Sequence, residues 1–258
     1  MLSTQAELVA FRTGLGQPLQ FVPTMGGLHQ GHGELIRRAA EQGPVLVSVF
    51  VNPLQFGPGE DFDRYPRSLE ADLALADRCG AAALWAPTVQ TIYPDGAAAD
   101  SARQAPAALQ QHLCGAGRPG HFNGVVTVVA RLLELTRPAG LWLGEKDWQQ
   151  LVILRQLVAD RALPVKVHGV ATVREADGLA LSSRNQYLSA AQRLQAAALP
   201  AALRAADGTT PLDVTRSRLS AAGLEVEYAE RADPHSLQPG GAETALSPLA
   251  AAGRRGAA

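Results

Sequence analysis

The sequence predicts an α/β protein in which a doubly wound parallel sheet is followed by a smaller α+β domain. Over the first two-thirds of the chain, short apolar stretches of strand length alternate with longer segments of helical periodicity. This alternation is typical of parallel strands covered by helices on both faces, a Rossmann-like arrangement. Near Gly169 the pattern changes to a hairpin and shorter helices. We therefore expect one domain over residues 1–170 and a second, lid-like domain over residues 171–258.

The elements of the first domain follow from apolar runs and from helical periodicity. Strands are expected at residues 19–22, 45–51, 82–86, 141–143 and 165–170. Helices are expected at residues 31–41, 67–79, 122–136 and 148–160. In such a sheet, ligands bind beyond the carboxyl ends of the strands, where the strand order reverses.

The second domain is expected to begin with a hairpin, in which strands 170–174 and 179–181 flank the turn 175–178. Ser189, with a glutamine three residues later, is a capping-box pattern that predicts a helix to about residue 206.

Further along, the pair Thr210 and Pro211 predicts another helix, with threonine as its cap and proline in its first turn. Residues 224–228 alternate as a strand does. The tail from residue 239 is rich in Ala, Gly and Ser, and we expect it to be poorly ordered.

Composition argues against several classes of partner. The chain has 23 basic and 24 acidic residues, so it does not attract nucleic acid as a whole, although a local basic cluster can bind a small anion. The apolar run 45–51 is too short to cross a bilayer, and the first residues do not resemble a signal peptide. Cys79 and Cys114 are isolated thiols, which fit a reducing environment. We expect a cytoplasmic protein without nucleic-acid or membrane partners.

The first candidate site segment, residues 23–32, leads from a strand through a glycine turn into a helix. Glycines let backbone approach a ligand closely, and a helix N-terminus offers unpaired N–H groups to phosphate. His29 and His32 share one helix face, so both imidazoles can reach the same anion. A capping or core role is the alternative, and a zinc site would need more ligands than this segment supplies.

Two further segments also follow predicted strands. Asn52 and Gln55 carry amides that can bond hydroxyls and carboxylates without adding charge, although an ordinary Asn-Pro turn is the alternative. Lys146 lies where a strand runs into a helix, and its ammonium could bind phosphate. Asp147 beside it could simply cap that helix.

Two weaker segments complete the set. Residues 118–126 form a basic, glycine-bearing loop before a helix, a pattern common to many proteins. Ser182 and Ser183 precede Arg184, and hydroxyls beside a guanidinium suit phosphate oxygens, although a polar turn would look the same.

In this order, the histidine pair, the Asn/Gln loop, the lysine turn and the Ser-Ser-Arg-Asn run resemble pantothenate synthetase. That family belongs to the nucleotidyltransferases with a His-x-Gly-His signature, which include class I aminoacyl-tRNA synthetases. The resemblance covers residues 21–188, and residues 65–68 and 177–185 also look like family signatures. It implies a homodimeric enzyme that uses ATP and Mg²⁺ to form pantoyl adenylate, which then reacts with β-alanine.

The resemblance also implies residue roles. The implied catalytic residues are His29, His32, Lys146 and Arg184. The implied ATP contacts are Pro23, Thr24, Met25, Gly26, His32, Gly144, Lys146, Asp147, Val173, Leu181, Ser182, Ser183 and Arg184. The implied pantoate contacts are Met25, Asn52, Gln55 and Gln150. Asp72 is the candidate metal-side carboxylate, with a solvent-exposed helix position as the alternative.

The chain departs from the family pattern at three places. Trp148 replaces a smaller aromatic residue, Leu181 stands where methionine is common, and the tail from residue 239 does not follow the pattern. Two other functions stay open at this point. One is a cytidylyltransferase acting on a phosphorylated alcohol, and the other is a nucleotide-binding protein that has lost catalysis.

Overall fold

The computed structural model describes residues 1–97, 103–206 and 209–240, together with the backbone of residues 249–254. The chain divides into two compact units. The first unit comprises Met1–Ala105 and Gly120–Val173, and the second comprises Pro106–Pro119 and Arg174–Ala258. The sequence analysis did not predict that residues 106–119 belong to the second unit.

The first unit contains a five-stranded sheet whose strands are all parallel. The strands are β1 (Gln20–Thr24), β2 (Val45–Val49), β3 (Ala83–Trp85), β4 (Gly140–Gly144) and β5 (Lys166–Val170). Their order across the sheet is β3-β2-β1-β4-β5, so the order reverses between β1 and β4. In register, Gln20 of β1 pairs with Val45 on one side and Gly140 on the other. The predicted parallel α/β sheet is confirmed.

Helices connect the strands of the first unit and also occur in the second unit. In chain order they are α1 (Gln5–Thr13), α2 (Gln30–Ala40), α3 (Leu69–Arg78), α4 (Val89–Ile92), α5 (Ala107–Gln110), α6 (Leu113–Gly117), α7 (His121–Thr136), α8 (Trp148–Asp160), α9 (Ala190–Ala196), α10 (Ala198–Ala205) and α11 (Leu212–Ala221). Three 3₁₀ turns lie at Pro53–Gln55, Glu145–Asp147 and Ser183–Tyr187. Within the described ranges, no helix is both long and apolar enough to cross a membrane.

Both faces of the sheet are buried. On one face, Val22 of β1 and Val47 of β2 pack with Ile36 of α2 and with residues of α3. Phe21 and Leu46 alternate with these strand residues, point to the opposite face and are also fully buried. Burial on both faces explains why the strands read as continuous apolar runs rather than as alternating ones.

The second unit contains a two-stranded antiparallel sheet of β6 (Glu225–Arg231) and β7 (Leu249–Arg254). The expectation of a poorly ordered tail is therefore wrong for residues 249–254, whose backbone pairs with β6. Residues 241–248 and 255–258 lie outside the described residues. The predicted hairpin after residue 170 is reduced to one bridge between Arg174 and Ala180, because Val170 instead pairs in β5.

Two predictions about helices in the second unit need correction. The capping box of Ser189 and Gln192 is present, but the helix that it opens ends at Ala196 and a second one begins at Ala198. Pro200 explains the break, because proline has no N–H to donate to the carbonyl four residues before it. The cap of α11 is Pro211 rather than the predicted Thr210.

Candidate active site

Three neighbouring strands bring the candidate segments of the first unit to one edge of the sheet. β1 lies between β2 and β4, and the strands end at Thr24, Val49 and Gly144. Adjacent strands are about 4.8 Å apart, so the segments that follow them emerge side by side. The strand order reverses at this edge, which is where open α/β sheets bind ligands.

The glycine turn after β1 is held by a buried carboxylate. Gly26 and Gly27 have φ values of 88° and 62°, a left-handed conformation that suits glycine. Asp72 of α3 is 2% exposed and accepts the backbone N–H groups of Gly27 at 3.1 Å and Leu28 at 2.6 Å. These two N–H groups therefore bind a side chain of the protein, which corrects the simple picture of the turn as an open phosphate cradle.

Asp72 was also the candidate metal-side residue. The alternative of a solvent-exposed helix position is wrong, because the side chain is almost fully buried. Burial raises the pKa of the Asp72 carboxyl, while its two backbone hydrogen bonds act in the opposite direction. In the part of the chain that the structure describes, no group of three His, Cys, Asp or Glu side chains could hold a metal ion. A role for Asp72 beside a metal stays a prediction.

The two histidines sit at the start of α2 with ring centroids 4.2 Å apart. His29 caps the helix, because its Nδ1 accepts the Gly31 N–H at 3.1 Å. His32 Nδ1 in turn accepts the His29 N–H at 3.2 Å. With Nδ1 accepting, a neutral ring carries its proton on Nε2. The capping role and a ligand-binding role are therefore compatible, since each ring keeps an Nε2–H donor.

Both histidines are neutral at physiological pH in the free protein. Burial, followed by the positive charge of Lys146, lowers the pKa of His29 to about 4, although Asp147 acts to raise it. Burial, followed by His29 and Lys146, lowers the pKa of His32 to about 3. In the free protein these imidazoles therefore offer neutral hydrogen-bond donors rather than positive charge.

Lys146 lies in the 3₁₀ turn Glu145–Asp147 that connects β4 to α8. Its side chain is 39% exposed, and its Nζ lies 3.3 Å from a carboxylate oxygen of Asp147. Asp147 precedes α8, but its side chain makes no capping hydrogen bond. β1 and β4 are adjacent, so the lysine turn and the histidine pair emerge at the same edge of the sheet, and the charge of Lys146 lowers both histidine pKa values.

The amide segment after β2 contains one buried and one partly exposed side chain. Asn52 is 1% exposed, and its amide bonds to protein groups through both of its ends. Gln55 is half-buried, and its Nε2 lies 3.0 Å from the Met25 Sδ. Asn52 therefore lies behind Gln55, and of this pair Gln55 is the better placed to touch a ligand.

The first turn of α8 carries two glutamines. Gln149 is 6% exposed, whereas the predicted pantoate contact Gln150 is half-buried. The other site residues of the first unit lie in or beside the same turns: Pro23, Thr24, Met25 and Gly26 after β1, and Gly144 at the end of β4. Val173 is the last residue of the first unit. Their implied roles toward ATP and pantoate stay predictions.

The remaining candidates lie in the second unit. Ser182 accepts the backbone N–H of Arg184 at 3.3 Å and opens the 3₁₀ turn Ser183–Tyr187. Arg184 is exposed, and the two serines and Leu181 are half-buried. The segment thus presents hydroxyls and a guanidinium at a surface, as phosphate binding would require.

Three residues that bond to the amide segment were not predicted from the sequence. Tyr93 donates from its hydroxyl to Asn52 Oδ1 at 2.8 Å, and the Gly124 carbonyl accepts from Asn52 Nδ2 at 3.1 Å. His121 Nδ1 lies 2.8 Å from the Gln55 carbonyl. Gly124 and His121 fall within the loop and helix that the sequence singled out, but no local pattern connects Tyr93 to Asn52.

Comparison with known proteins supplies a family for this arrangement. The sequence profile described as pantoate-beta-alanine ligase matches residues 1–256. The expectation that the tail from residue 239 departs from the family is therefore wrong.

Two curated relatives are bifunctional pantoate ligase/cytidylate kinases. The chain is 92% identical over 256 residues to the one from Parasynechococcus marenigrum (strain WH8102), a match that covers 99% of this chain and 51% of the relative. It is 72% identical over 235 residues to the one from Synechococcus sp. (strain CC9605), covering 91% of this chain and 49% of the relative. The chain spans about half the length of these relatives.

Two solved structures resemble 90% or more of the chain. A pantothenate synthetase from Thermus thermophilus matches with a TM-score of 0.87 and 44% identity, covering 99% of this chain and 95% of the other. A pantoate-beta-alanine ligase from Francisella tularensis, complexed with beta-gamma ATP and beta-alanine, matches with a TM-score of 0.83 and 36% identity, covering 90% of each chain.

Proposed function

This chain belongs to the pantoate-beta-alanine ligase family, and we propose that it condenses pantoate with β-alanine, using ATP and releasing AMP and pyrophosphate. The single observation that best supports the proposal is the group of side chains at the β1–β4 reversal, where open α/β sheets have their ligand crevice. There, neutral histidine donors, the Lys146 ammonium and the Gln55 amide come from three adjacent strand ends. Donors, one positive charge and an uncharged amide suit a nucleotide bound beside a small hydroxy acid.

In the first step, the pantoate carboxylate attacks the α-phosphorus of ATP, an acyl–phosphate bond forms, and pyrophosphate leaves. A carboxylate with an ordinary pKa near 4 is ionised at neutral pH, so this step needs no general base. It needs alignment and stabilisation of negative charge. Lys146 supplies the charge, and the Nε2–H groups of His29 and His32 donate to phosphate oxygens. In the second unit, Ser182, Ser183 and Arg184 carry hydroxyl and guanidinium donors of the kind that binds phosphate.

In the second step, the amine of β-alanine attacks the acyl carbon of pantoyl adenylate. An amide bond forms, the acyl–phosphate bond breaks with AMP as the leaving group, and the nitrogen gives up its proton to solvent. Neutral histidines beside the phosphate fit this step, since they add no positive charge to repel the ammonium form in which β-alanine approaches before it is deprotonated.

Mg²⁺ is a further part of the proposal. When bound to ATP, it neutralises phosphate charge, and such ions are commonly held by substrate phosphates and only one or two carboxylates. Asp72 is a poor fit as a direct ligand, because both of its oxygens already accept backbone N–H groups.

The test is AMP formation by the purified chain with ATP, Mg²⁺, pantoate and β-alanine. We expect AMP only when both acids are present, and pyrophosphate from pantoate and ATP alone. ATP binding without turnover would indicate a nucleotide-binding protein that has lost catalysis. Preference for CTP and a phosphorylated alcohol would indicate a cytidylyltransferase, which the family match argues against.

We also propose a cytoplasmic homodimer, on resemblance to the family alone. Light scattering at micromolar concentration should give twice the chain mass of 27.1 kDa. A clean monomer would refute the dimer without affecting the proposed reaction.

A further inference from the structure

Asn52 is the centre of a closed hydrogen-bond network beneath the crevice. Its Oδ1 accepts from the Leu54 backbone N–H at 3.2 Å and from the Tyr93 hydroxyl at 2.8 Å. Its Nδ2 donates to the Gly124 carbonyl and to Gln55 Oε1, both at 3.1 Å. The side chain is 1% exposed, and its bonds to Gly124 and Tyr93 are buried, while those to Leu54 and Gln55 are partly buried.

Two of these partners fix the direction of the whole network. A backbone N–H can only donate, and a backbone carbonyl can only accept. Leu54 therefore requires an oxygen on its side of the Asn52 amide, and Gly124 requires the NH₂ group on the other side. If the amide were reversed, its NH₂ group would face the Leu54 N–H and its oxygen would face the Gly124 carbonyl. Neither backbone group would then have a hydrogen-bond partner in the amide, which is costly for buried polar atoms.

The fixed Asn52 amide sets the orientation of Gln55 in turn. Because Asn52 Nδ2 must donate, the Gln55 atom facing it must be the acceptor Oε1. The Gln55 NH₂ is then directed to the other side, where its Nε2 lies 3.0 Å from Met25 Sδ. Sulfur accepts hydrogen bonds weakly, so a substrate oxygen would be a stronger partner for this donor than Met25 is.

We infer that Asn52 is a positioning residue that makes Gln55 a one-way hydrogen-bond donor, so that this part of the site selects an oxygen acceptor on the hydroxy-acid substrate. Tyr93 belongs to the same device, since its hydroxyl reinforces the acceptor end of Asn52. The inference rests on the proposed function, because it takes the hydroxy acid to be pantoate.

The backbone around the network is packed closely enough to maintain it. A Cβ added at Gly124 would overlap the Leu54 carbonyl, so α7 can approach the Pro53–Gln55 turn only with glycine at this position. His121, at the start of α7, bonds the Gln55 carbonyl as well. His121 of α7 thus holds the main chain of Gln55, and Asn52 holds its side chain.

A double-mutant cycle separates positioning from direct contact. Pantoate dissociation constants would be measured by calorimetry for the wild type, Asn52→Ala, Gln55→Ala and the double variant, each with a non-hydrolysable ATP analogue bound. We expect each single variant to weaken pantoate binding about five- to 100-fold, and the double variant to be no weaker than Gln55→Ala. If the two losses of affinity multiply in the double variant, Asn52 contacts pantoate directly, and the inference is overturned.

A second pair of variants covers the case in which Asn52→Ala does not fold. Tyr93→Phe removes only the hydroxyl, and Ile92→Val shortens a fully buried neighbour in α4 without touching the network. We expect Tyr93→Phe to raise KM for pantoate about two- to fivefold with kcat and KM for ATP unchanged. An equal rise in Ile92→Val would mean that Tyr93 acts only through packing, and would overturn its assignment.

The direction of the Gln55 amide is tested by its replacements. If Gln55 donates, Gln55→Glu should bind pantoate more weakly than Gln55→Met, because glutamate turns an acceptor toward the substrate oxygen. The reverse order would overturn the inference. A wild-type chain that binds no pantoate would instead refute the proposed function, so the two failures are distinguishable.

Discussion

Two segments of the molecule carry the donors expected to meet phosphate, and they are held in different ways. In the first unit, the turn before His29 is held by Asp72, which is 2% exposed. In the second unit, the Ser182–Arg184 segment is supported by Arg193, which is paired with Glu175 at 2.7 Å and also with Asp177. The side chains of Glu175 and Asp177 are 34% and 39% exposed.

The difference predicts different responses to mutation and to salt. Removing one partner of a buried hydrogen bond costs about 1–3 kcal/mol, because the other partner is left without water. An exposed ion pair contributes about 0.2–1 kcal/mol and is screened by salt. We therefore expect the first segment to be held firmly at any salt concentration. The second segment should be held weakly, and less well as salt rises.

The largest effect is expected from Lys146→Ala. Because the two histidines are neutral, much of the positive charge in the crevice of the first unit rests on Lys146. A preorganised charge on a developing phosphorane is typically worth about 10²–10³ in rate. We expect kcat to fall by that factor in an AMP-formation assay while the circular dichroism spectrum stays unchanged.

The chain offers a matched control in its other lysine. Lys166 is exposed and begins β5, at the end of the sheet opposite the crevice. Lys166→Ala should therefore leave kcat unchanged. If Lys146→Ala weakens ATP binding but leaves kcat unchanged, the lysine binds ATP in the ground state and does not stabilise the transition state further.

The next effect tests the buried support of the glycine turn. Asp72→Asn replaces one acceptor by an NH₂ group that faces a backbone N–H. We expect the free energy of unfolding in urea to fall by about 1–3 kcal/mol. Displacement of the histidines should lower kcat by about ten- to 100-fold.

Asp77→Asn is the control, because Asp77 lies on the same helix but is exposed. Normal turnover in Asp72→Asn would mean that the glycines hold the turn without help, and the contrast between the two segments would lose its physical basis.

The contrast also explains which parts of the fold and of the candidate site could be predicted from the sequence. The strands were predictable because burial on both faces leaves continuous apolar runs, such as 45–49 in β2. The three candidate segments of the first unit could be expected at one edge of the sheet because each follows a strand directly. The break at Ala197 could have been found too, since Pro200 lies inside the expected helix.

The supports of the site could not be predicted in this way. Asp72 bonds to backbone groups 44 and 45 residues away, and Tyr93 bonds to Asn52 across 41 residues. No periodicity or spacing links such partners, because only the packed sheet and helices bring them together. The family resemblance suggested a metal-side role for Asp72, and nothing in the sequence indicated that it also holds the glycine turn.

An intermediate effect concerns pH. The pKa of His32 is about 3 in the fold and near 6.5 in the unfolded chain, mainly because of burial. Between these values the unfolded chain binds more protons than the folded one, so stability falls as pH drops through 6.5 toward 3.

His32→Gln keeps an acceptor for the His29 N–H but removes this titration. We expect its urea midpoint to fall less between pH 7 and pH 4.5 than the wild type does. An identical fall in both proteins would show that His32 is accessible to protons in the fold.

The smallest effect is expected from Arg193→Ala, which removes the exposed support of the second segment. Asn185 bonds both Glu175 Oε1 and the Ala180 carbonyl at 3.0 Å, so the network reaches the residue directly after Arg184. Loss of Arg193 should raise KM for ATP about two- to fivefold at 50 mM salt, with the difference vanishing near 0.5 M salt.

The matched control for this variant is Arg38→Ala, which breaks a comparable exposed ion pair with Glu34 at 2.9 Å on α2. It should change neither KM nor its salt dependence. A rise in KM for ATP in Arg193→Ala that is large and independent of salt would mean that this network holds its segment as firmly as Asp72 holds the glycine turn. In that case the difference between the two segments would lie in their chemistry and not in how firmly each is held.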